Sequence, residues 1–390
     1  MRYIHGISGS SDTQEVFSVK ERYRDISFTD RIRFESLFNS ILVNGGPVRE
    51  EELMGLSAIP DKDIHENRRF SIPLMIPNSG KPKGLILLLH GLNEKSWNKY
   101  WSWGRILSES TGNAVVFFPL SFHMDRVPST WSDRRAMSKL IKFRNREGRE
   151  NSSVSFANVA ISERLENVPE RFVLSGYQSI MDMLNFIRGI RSGKSDFSCD
   201  IPINIFGYSI GAFLSQVIAL ANPGGLFDDT KFFLFCGGSV FSRIRGASKY
   251  IIDEAAFNRL LEFYRDPGTM SISRIETFHE VMESPAIGNA FKTMLYPGEL
   301  EASRIARFED LRDQLKVVAL MNDKVFPYQD IIHSISGEKG MEENIEILDY
   351  PYDYRHENPF PEKEMMNSTA ASACFDHVFS IASGHFTGQK

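Results

Sequence analysis

Apolar positions along the 390 residues follow two rhythms. Short, nearly unbroken apolar runs occur at residues 84–89, 114–118, 201–206, 231–236 and 315–321, and more mixed ones at 69–76 and 344–350. Between them lie stretches where apolar residues recur every three or four positions. Continuous apolar runs suit strands buried on both faces of a parallel sheet. The second rhythm is that of an amphipathic helix. It predicts helices over residues 101–110, over 178–191 (Ile180, Met183, Leu184, Ile187, Ile190) and after residue 209, with a closing helix over 362–383. Residues 31–42 carry helical spacing at Ile32, Leu37, Phe38 and Ile41, which predicts a helix there.

Strands alternating with helices predict an α/β fold with a mostly parallel central sheet. Between the runs ending at Cys236 and beginning at Leu315 lie roughly 75 residues, too many for an ordinary connection. Helical patterns fill it: Ile251, Ala255, Leu260, Leu261, Phe263 and Tyr264, then Ile275, Phe278, Val281 and Met282. The expected organisation is therefore an N-terminal extension at 1–66 packed on the core, a core at 67–239 and 313–390, and a helical cap or lid inserted at 240–312. Residues 121–171 read as a long irregular stretch, and the Arg and Lys residues between 134 and 149 as a solvated basic face.

Chemistry enters at Gly207-Tyr208-Ser209-Ile210-Gly211. The run Ile203, Ile205, Phe206 precedes it, and a helical pattern stopped by Pro223-Gly224-Gly225 follows. A serine on a sharp strand-to-helix turn has its hydroxyl lifted clear of the sheet, and flanking glycines leave room for the tight backbone. A serine hydroxyl is a poor nucleophile without a base. Histidine suits that role because its proton affinity lies near neutral pH, and an acidic side chain fixes its tautomer. Asn322-Asp323 and His356 each follow a predicted strand, on the sheet edge where open α/β folds bind ligands.

On these residues, and on His90-Gly91 after an early strand, the chain resembles the α/β-hydrolase superfamily over roughly residues 69–385. Within it the chain is similar to an uncharacterised bacterial group, so the resemblance implies fold and chemistry but no substrate. It implies an α/β-hydrolase fold with a Ser209–His356–Asp323 triad in the chain order that fold uses. Asp330, Asp349 and Asp353 compete with Asp323 for the acid, and His377 and His385 with His356 for the base. The implied oxyanion hole is the backbone N–H of Ile210 and that of Leu92, with Asn93 as its alternative. Its loop reads Leu-Asn-Glu rather than the glycine-rich form. Tyr208, Asn93, His123, Arg126 and Trp131 are expected on the substrate rim.

Composition adds boundaries. The formal net charge of −5 gives no global pull toward nucleic acid or an anionic membrane. The three cysteines stand apart from one another, with no metal-ligand spacing, which favours a reducing, cytoplasmic setting; the N-terminus shows no apolar signal segment. No membrane span is expected. Thirty phenylalanines suit core filling or a largely apolar cleft. The function expected is that of a serine hydrolase acting on a small-molecule acyl substrate without cofactor or metal, an esterase-like enzyme first, with amide, thioester or peptide cleavage as variants. The competing reading is a non-catalytic binding protein of the same fold.

Overall fold

The computed structural model describes residues 30–36, 61–146, 151–296, 298–337 and 342–388. In chain order the elements begin with β1 (Asp30–Glu35), α1 (His65–Arg68), β2 (Arg69–Met75), β3 (Leu85–Leu89), α2 (Tyr100–Thr111) and β4 (Ala114–Phe118). Then come α3 (Arg134–Arg144), α4 (Val159–Asn167), α5 (Arg171–Arg191), β5 (Ile203–Tyr208), α6 (Ile210–Ala221) and β6 (Phe232–Phe235). The segment up to the next strand holds α7 (Glu254–Arg265), α8 (Pro267–Ser271), α9 (Glu276–Glu283), α10 (Ile287–Leu295) and α11 (Glu301–Asp310). The chain closes with β7 (Leu315–Leu320), α12 (Tyr328–Ser336), β8 (Ile345–Leu348), α13 (Glu362–Asn367) and α14 (Thr369–Thr387).

The eight strands form one sheet in the order β1-β2-β4-β3-β5-β6-β7-β8. β2 runs antiparallel to β1 and β4, and all pairs from β4 to β8 are parallel. This is the α/β-hydrolase fold. The continuous apolar runs supply both faces at once, because successive side chains point to opposite sides. Leu85, Leu87, Leu89, Val116, Ile205 and Leu234 join one core layer with α4, α5, α6 and α10. Ile86, Leu88, Phe117, Phe206, Phe233 and Phe235 join the other, with α2 and α14.

Four expectations need correction. Residues 30–35 are an antiparallel edge strand rather than the start of a helix: Ile32 and Phe34 alternate onto the core layer, opposite Ile72 and Phe70 of β2. The remaining residues of that expected helix, Leu37 to Leu42, lie outside the described residues. The stretch 121–171 is not irregular, since it holds α3 and α4. Only Met137, Leu140 and Arg144 of α3 are buried, so its apolar signal is thin. Arg144 is correspondingly no part of a solvated face; it is fully buried among carboxylates. The closing helix is two helices, α13 and α14, broken at Ser368, whose hydroxyl accepts from Ala371 N–H as an N-cap.

Within residues 240–312, α7 packs on α4, α9 on α5 and α10 on α6. Among the described residues no helix is long and apolar enough to cross a membrane.

Candidate active site

The turn between β5 and α6 is built by exclusion. A Cβ on Gly211 would lie 2.4 Å from the Leu89 carbonyl oxygen, and one on Gly207 2.7 Å from the Ala212 Cα. Only hydrogen fits at either place, so β3 and α6 close around the turn. Ser209 between them takes φ 56° and ψ −118°, a conformation strained for any residue with a Cβ. Its N–H is held by the Phe235 carbonyl at 3.1 Å on β6. The strain is therefore met by the sheet itself, and the hydroxyl stands at the C-terminal edge of the central strand.

His356 lies in the loop after β8. Its Nε2 is 2.7 Å from the Ser209 Oγ, and its Nδ1 is 2.8 Å from Asp323 Oδ2. The other oxygen of Asp323 accepts from Val325 N–H at 2.8 Å and Phe326 N–H at 3.0 Å, so the carboxylate is fixed in orientation. Serine, histidine and aspartate are each 5% exposed. The imidazole ring lies between two aromatic rings, Phe326 at 5.3 Å and Tyr208 at 5.7 Å between centroids. The Tyr208 hydroxyl also donates to the His356 carbonyl. Burial, above all, holds that phenol well above the ordinary tyrosine range, so it stays a neutral donor.

Of the competing groups, Asp330 bonds Arg243, Asp349 bonds Asn322, His377 bonds Glu346, and His385 bonds the Gln314 carbonyl. Asp353 lines the wide cleft beside His356.

Ile210 carries the first N–H of α6, a position whose amide has no acceptor within the helix. Ile210 and Leu92 both line a small cavity of about 40 Å³ walled by Phe172, Phe213, Leu214 and Phe291. On the other side of Leu92 opens a cleft of about 850 Å³, lined by Asn93, Lys95, Tyr250, Arg355 and Glu357 among others. Apolar walls thus belong to the small cavity, and charged and polar groups of both signs to the wide one. That limits the expectation of a largely apolar cleft to the inner part of the site.

The segment before α7 bridges the mouth of the wide cleft. Asn93 Nδ2 donates to the Tyr250 carbonyl at 2.7 Å, Arg355 Nη1 to the Tyr250 hydroxyl at 3.3 Å, and Ser248 Oγ to Glu357. The loop after β3 and the loop that carries His356 are thereby tied through residues 248–250.

The expected rim divides. Asn93 lines the wide cleft and His123 the small cavity. Tyr208 is buried beneath His356 rather than on the rim. Arg126 is fully buried and pairs with Asp182 at 2.9 Å, with its guanidinium 4.0 Å over the Phe70 ring; it braces β2 against α5. Trp131 is 2% exposed and packs under the Arg164 guanidinium. The loop after β4 turns both side chains inward, with left-handed backbone at Phe122 and Met124. His90 shapes its own loop: Nδ1–H donates to the Gly91 carbonyl at 2.8 Å and Nε2 accepts from Leu120 N–H at 3.0 Å. Burial pushes its proton affinity well down, so the ring is neutral.

Two supporting residues escape sequence reasoning. Cys236, the residue after β6, has φ 48° and its thiol hydrogen-bonds to Asp323; burial first, then the charge of Asp323, pushes the thiol well up, which keeps it protonated as the donor. Phe326 is one phenylalanine among many in the chain. Neither carries a spacing signal, since each meets its partner only across the sheet edge. Among the described residues no group of three or more His, Cys, Asp or Glu is arranged to hold a metal ion.

A family model described as a family of unknown function, DUF6051, matches residues 39–387. No curated protein matches the sequence. Among solved structures, a vibralactone cyclase is similar at 13% identity over 83% of this chain and 78% of its own, with a TM-score of 0.42. An acylaminoacyl peptidase from Pyrococcus horikoshii is similar at 13% identity over 82% of this chain and 39% of its own, with a TM-score of 0.41; this chain spans well under half of that protein. An arylesterase is similar at 12% identity over 93% of this chain and 88% of its own, with a TM-score of 0.40. These likenesses are distant.

Proposed function

We propose that this chain, which belongs to the family of unknown function DUF6051, is a serine hydrolase that cleaves a carboxylic ester by acyl transfer. One observation carries the reading: Ser209, His356 and Asp323 form an unbroken hydrogen-bonded series, 2.7 Å and 2.8 Å long in its two links, at the C-terminal edge of the sheet. Distances in this range are those a general base needs.

In this reading His356 Nε2 takes the proton as Ser209 Oγ bonds to the substrate carbonyl carbon. Asp323 holds Nδ1–H and stabilises the imidazolium. The carbonyl oxygen becomes an anion held by the N–H groups of Ile210 and Leu92. The bond to the leaving oxygen then breaks, and that oxygen receives the proton from Nε2. Water repeats the sequence on the acyl enzyme, releasing the acid and restoring Ser209. Each group needed belongs to the chain, and an amide or thioester would use the same groups. Residues 240–312 act as the cap, with 248–250 as the part over the mouth.

The test is covalent. A fluorophosphonate should label Ser209 in the wild type, while Ser209→Ala should remain unlabelled and lose aryl-ester turnover by several orders of magnitude. Labelling of Ser209→Ala equal to wild type would exclude Ser209 as the nucleophile.

A further inference from the structure

The small cavity beside Leu92 and Ile210 has mostly apolar walls, with Ser121, His123 and, from α5, Ser175 and Ser179 as its polar lining. Of these, Ser121 and His123 carry buried polar atoms with no partner among the described residues: the Ser121 Oγ and the His123 Nε2. Nδ1 of His123 donates to the Ser121 carbonyl at 2.8 Å, which fixes the tautomer and leaves Nε2 as a bare acceptor. Burial pushes the proton affinity of His123 down to about 4, so that nitrogen stays unprotonated at neutral pH. A buried acceptor left unpaired is costly, and in a binding cavity it marks the place of a ligand donor.

Which end of the substrate enters is set by the leaving group. The leaving oxygen must receive its proton from His356, and Tyr354, Arg355 and Glu357 on either side of His356 line the wide cleft. The alcohol portion therefore occupies the wide cleft, and the acyl portion lies in the small cavity past Ile210. At 40 Å³ that cavity takes about three non-hydrogen atoms, at roughly 10–15 Å³ for each water-sized group. Phe291 from α10 and Phe172 from α5 form part of its wall.

We infer that the small cavity is an acyl subsite for a short hydroxyacyl group, of the size of lactyl, whose hydroxyl donates to His123 Nε2. This inference rests on the reading of Ser209 as an acyl-transfer nucleophile. A methyl group in the same place would leave the imidazole nitrogen unpaired, and a site built to hydrogen-bond a hydroxyl discriminates against its apolar isostere.

The experiment compares kcat/KM for para-nitrophenyl lactate and para-nitrophenyl isobutyrate, which differ by one hydroxyl in place of a methyl. Their intrinsic reactivities differ, so the reading is the ratio in wild type divided by the ratio in His123→Leu. That quotient should be about tenfold or more, with the loss in kcat/KM confined to the lactyl ester. A quotient near one overturns the hydroxyl contact. A straight-chain series read in parallel should fall steeply beyond butyrate in wild type and extend to longer chains in Phe291→Ala. A wild type that prefers octanoate overturns the subsite even if His123→Leu does not fold. Fluorophosphonate labelling of the same preparations separates the two levels. Labelled Ser209 with a long-chain preference removes only this inference, whereas absent labelling removes the acyl-transfer reading beneath it.

Discussion

Arg144 and Asp253 form a doubly hydrogen-bonded ion pair, 2.6 Å at each bond, with both side chains fully excluded from solvent. The same guanidinium meets Glu163 at 2.6 Å and Glu166 at 2.8 Å. Asp253 also caps α7, accepting from Ala256 N–H at 3.0 Å. One arginine from α3 thus fastens α4 and the start of α7, immediately after the segment that bridges the cleft.

Removing that arginine leaves two or three buried carboxylates without a counter-charge. Arg144→Met should lower stability by about 3–5 kcal/mol, the usual consequence of breaking a buried pair on one side. Urea unfolding measures it. A loss below about 1 kcal/mol, the level of an exposed pair, would show that the network is solvated in solution.

Asp323→Asn tests the orientation of His356. The side-chain carbonyl must still accept from Val325 and Phe326 N–H, so the amide NH₂ would face Nδ1. That contact suits only a ring carrying its proton on Nε2, which cannot accept the Ser209 proton. Turnover of an aryl ester should fall by about ten-thousandfold with the fold intact by circular dichroism. A fall of less than about tenfold would assign the acid role elsewhere.

Gly211→Ala probes the turn. The added carbon would sit 2.4 Å from the Leu89 carbonyl oxygen, a backbone atom in the centre of the sheet. Relief requires moving α6 off β3. A loss of about 1–3 kcal/mol or more is expected, with fluorophosphonate labelling of Ser209 reduced beyond the loss of folded protein. Unchanged Tm and labelling would contradict the packing described for the turn.

Three buried histidines make stability depend on acidity. Burial, the largest cause in each case, pushes His90 well down and His123 and His385 down to about 4. In the unfolded chain they titrate near 6.5, so the unfolded state binds their protons first as pH falls. Stability is therefore fully present above about pH 6.5 and lost progressively as pH falls toward 4, by up to about 3 kcal/mol for each of His123 and His385. Urea midpoints at about pH 7.5 and about pH 5 should differ in that direction, and His385→Gln should reduce the difference. A flat profile between those values would show that none of the three rings is held neutral by burial.

The sequence by itself determined the alternation of elements and the positions where strands end. Residues 84–89, 114–118 and 317–321 are apolar without interruption because both faces of a parallel sheet are covered, and that pattern needs no tertiary knowledge to read. Gly207 was legible for a similar reason, since the atoms that leave it no side chain lie within the same turn and the helix after it, whereas Gly211 was legible from the motif although the carbonyl that crowds it belongs to Leu89 on β3. The tertiary structure decided everything that depends on which distant groups meet. Residues 30–35 alternate well enough as a strand, but the helical spacing downstream outweighs that signal until β2 offers them an edge. Arg144 looks like a surface charge in a basic stretch and Arg126 like a rim residue, and only Asp182, Asp253 and Glu163, arriving from other elements, make their burial possible. The 2.7 Å between Ser209 and His356 likewise belongs to the sheet, which sets the ends of β5 and β8 along one edge although 147 residues separate the two side chains. Local sterics and periodicity are written along the chain, whereas the pairing of buried charges and the closing of a site are set by packing across it.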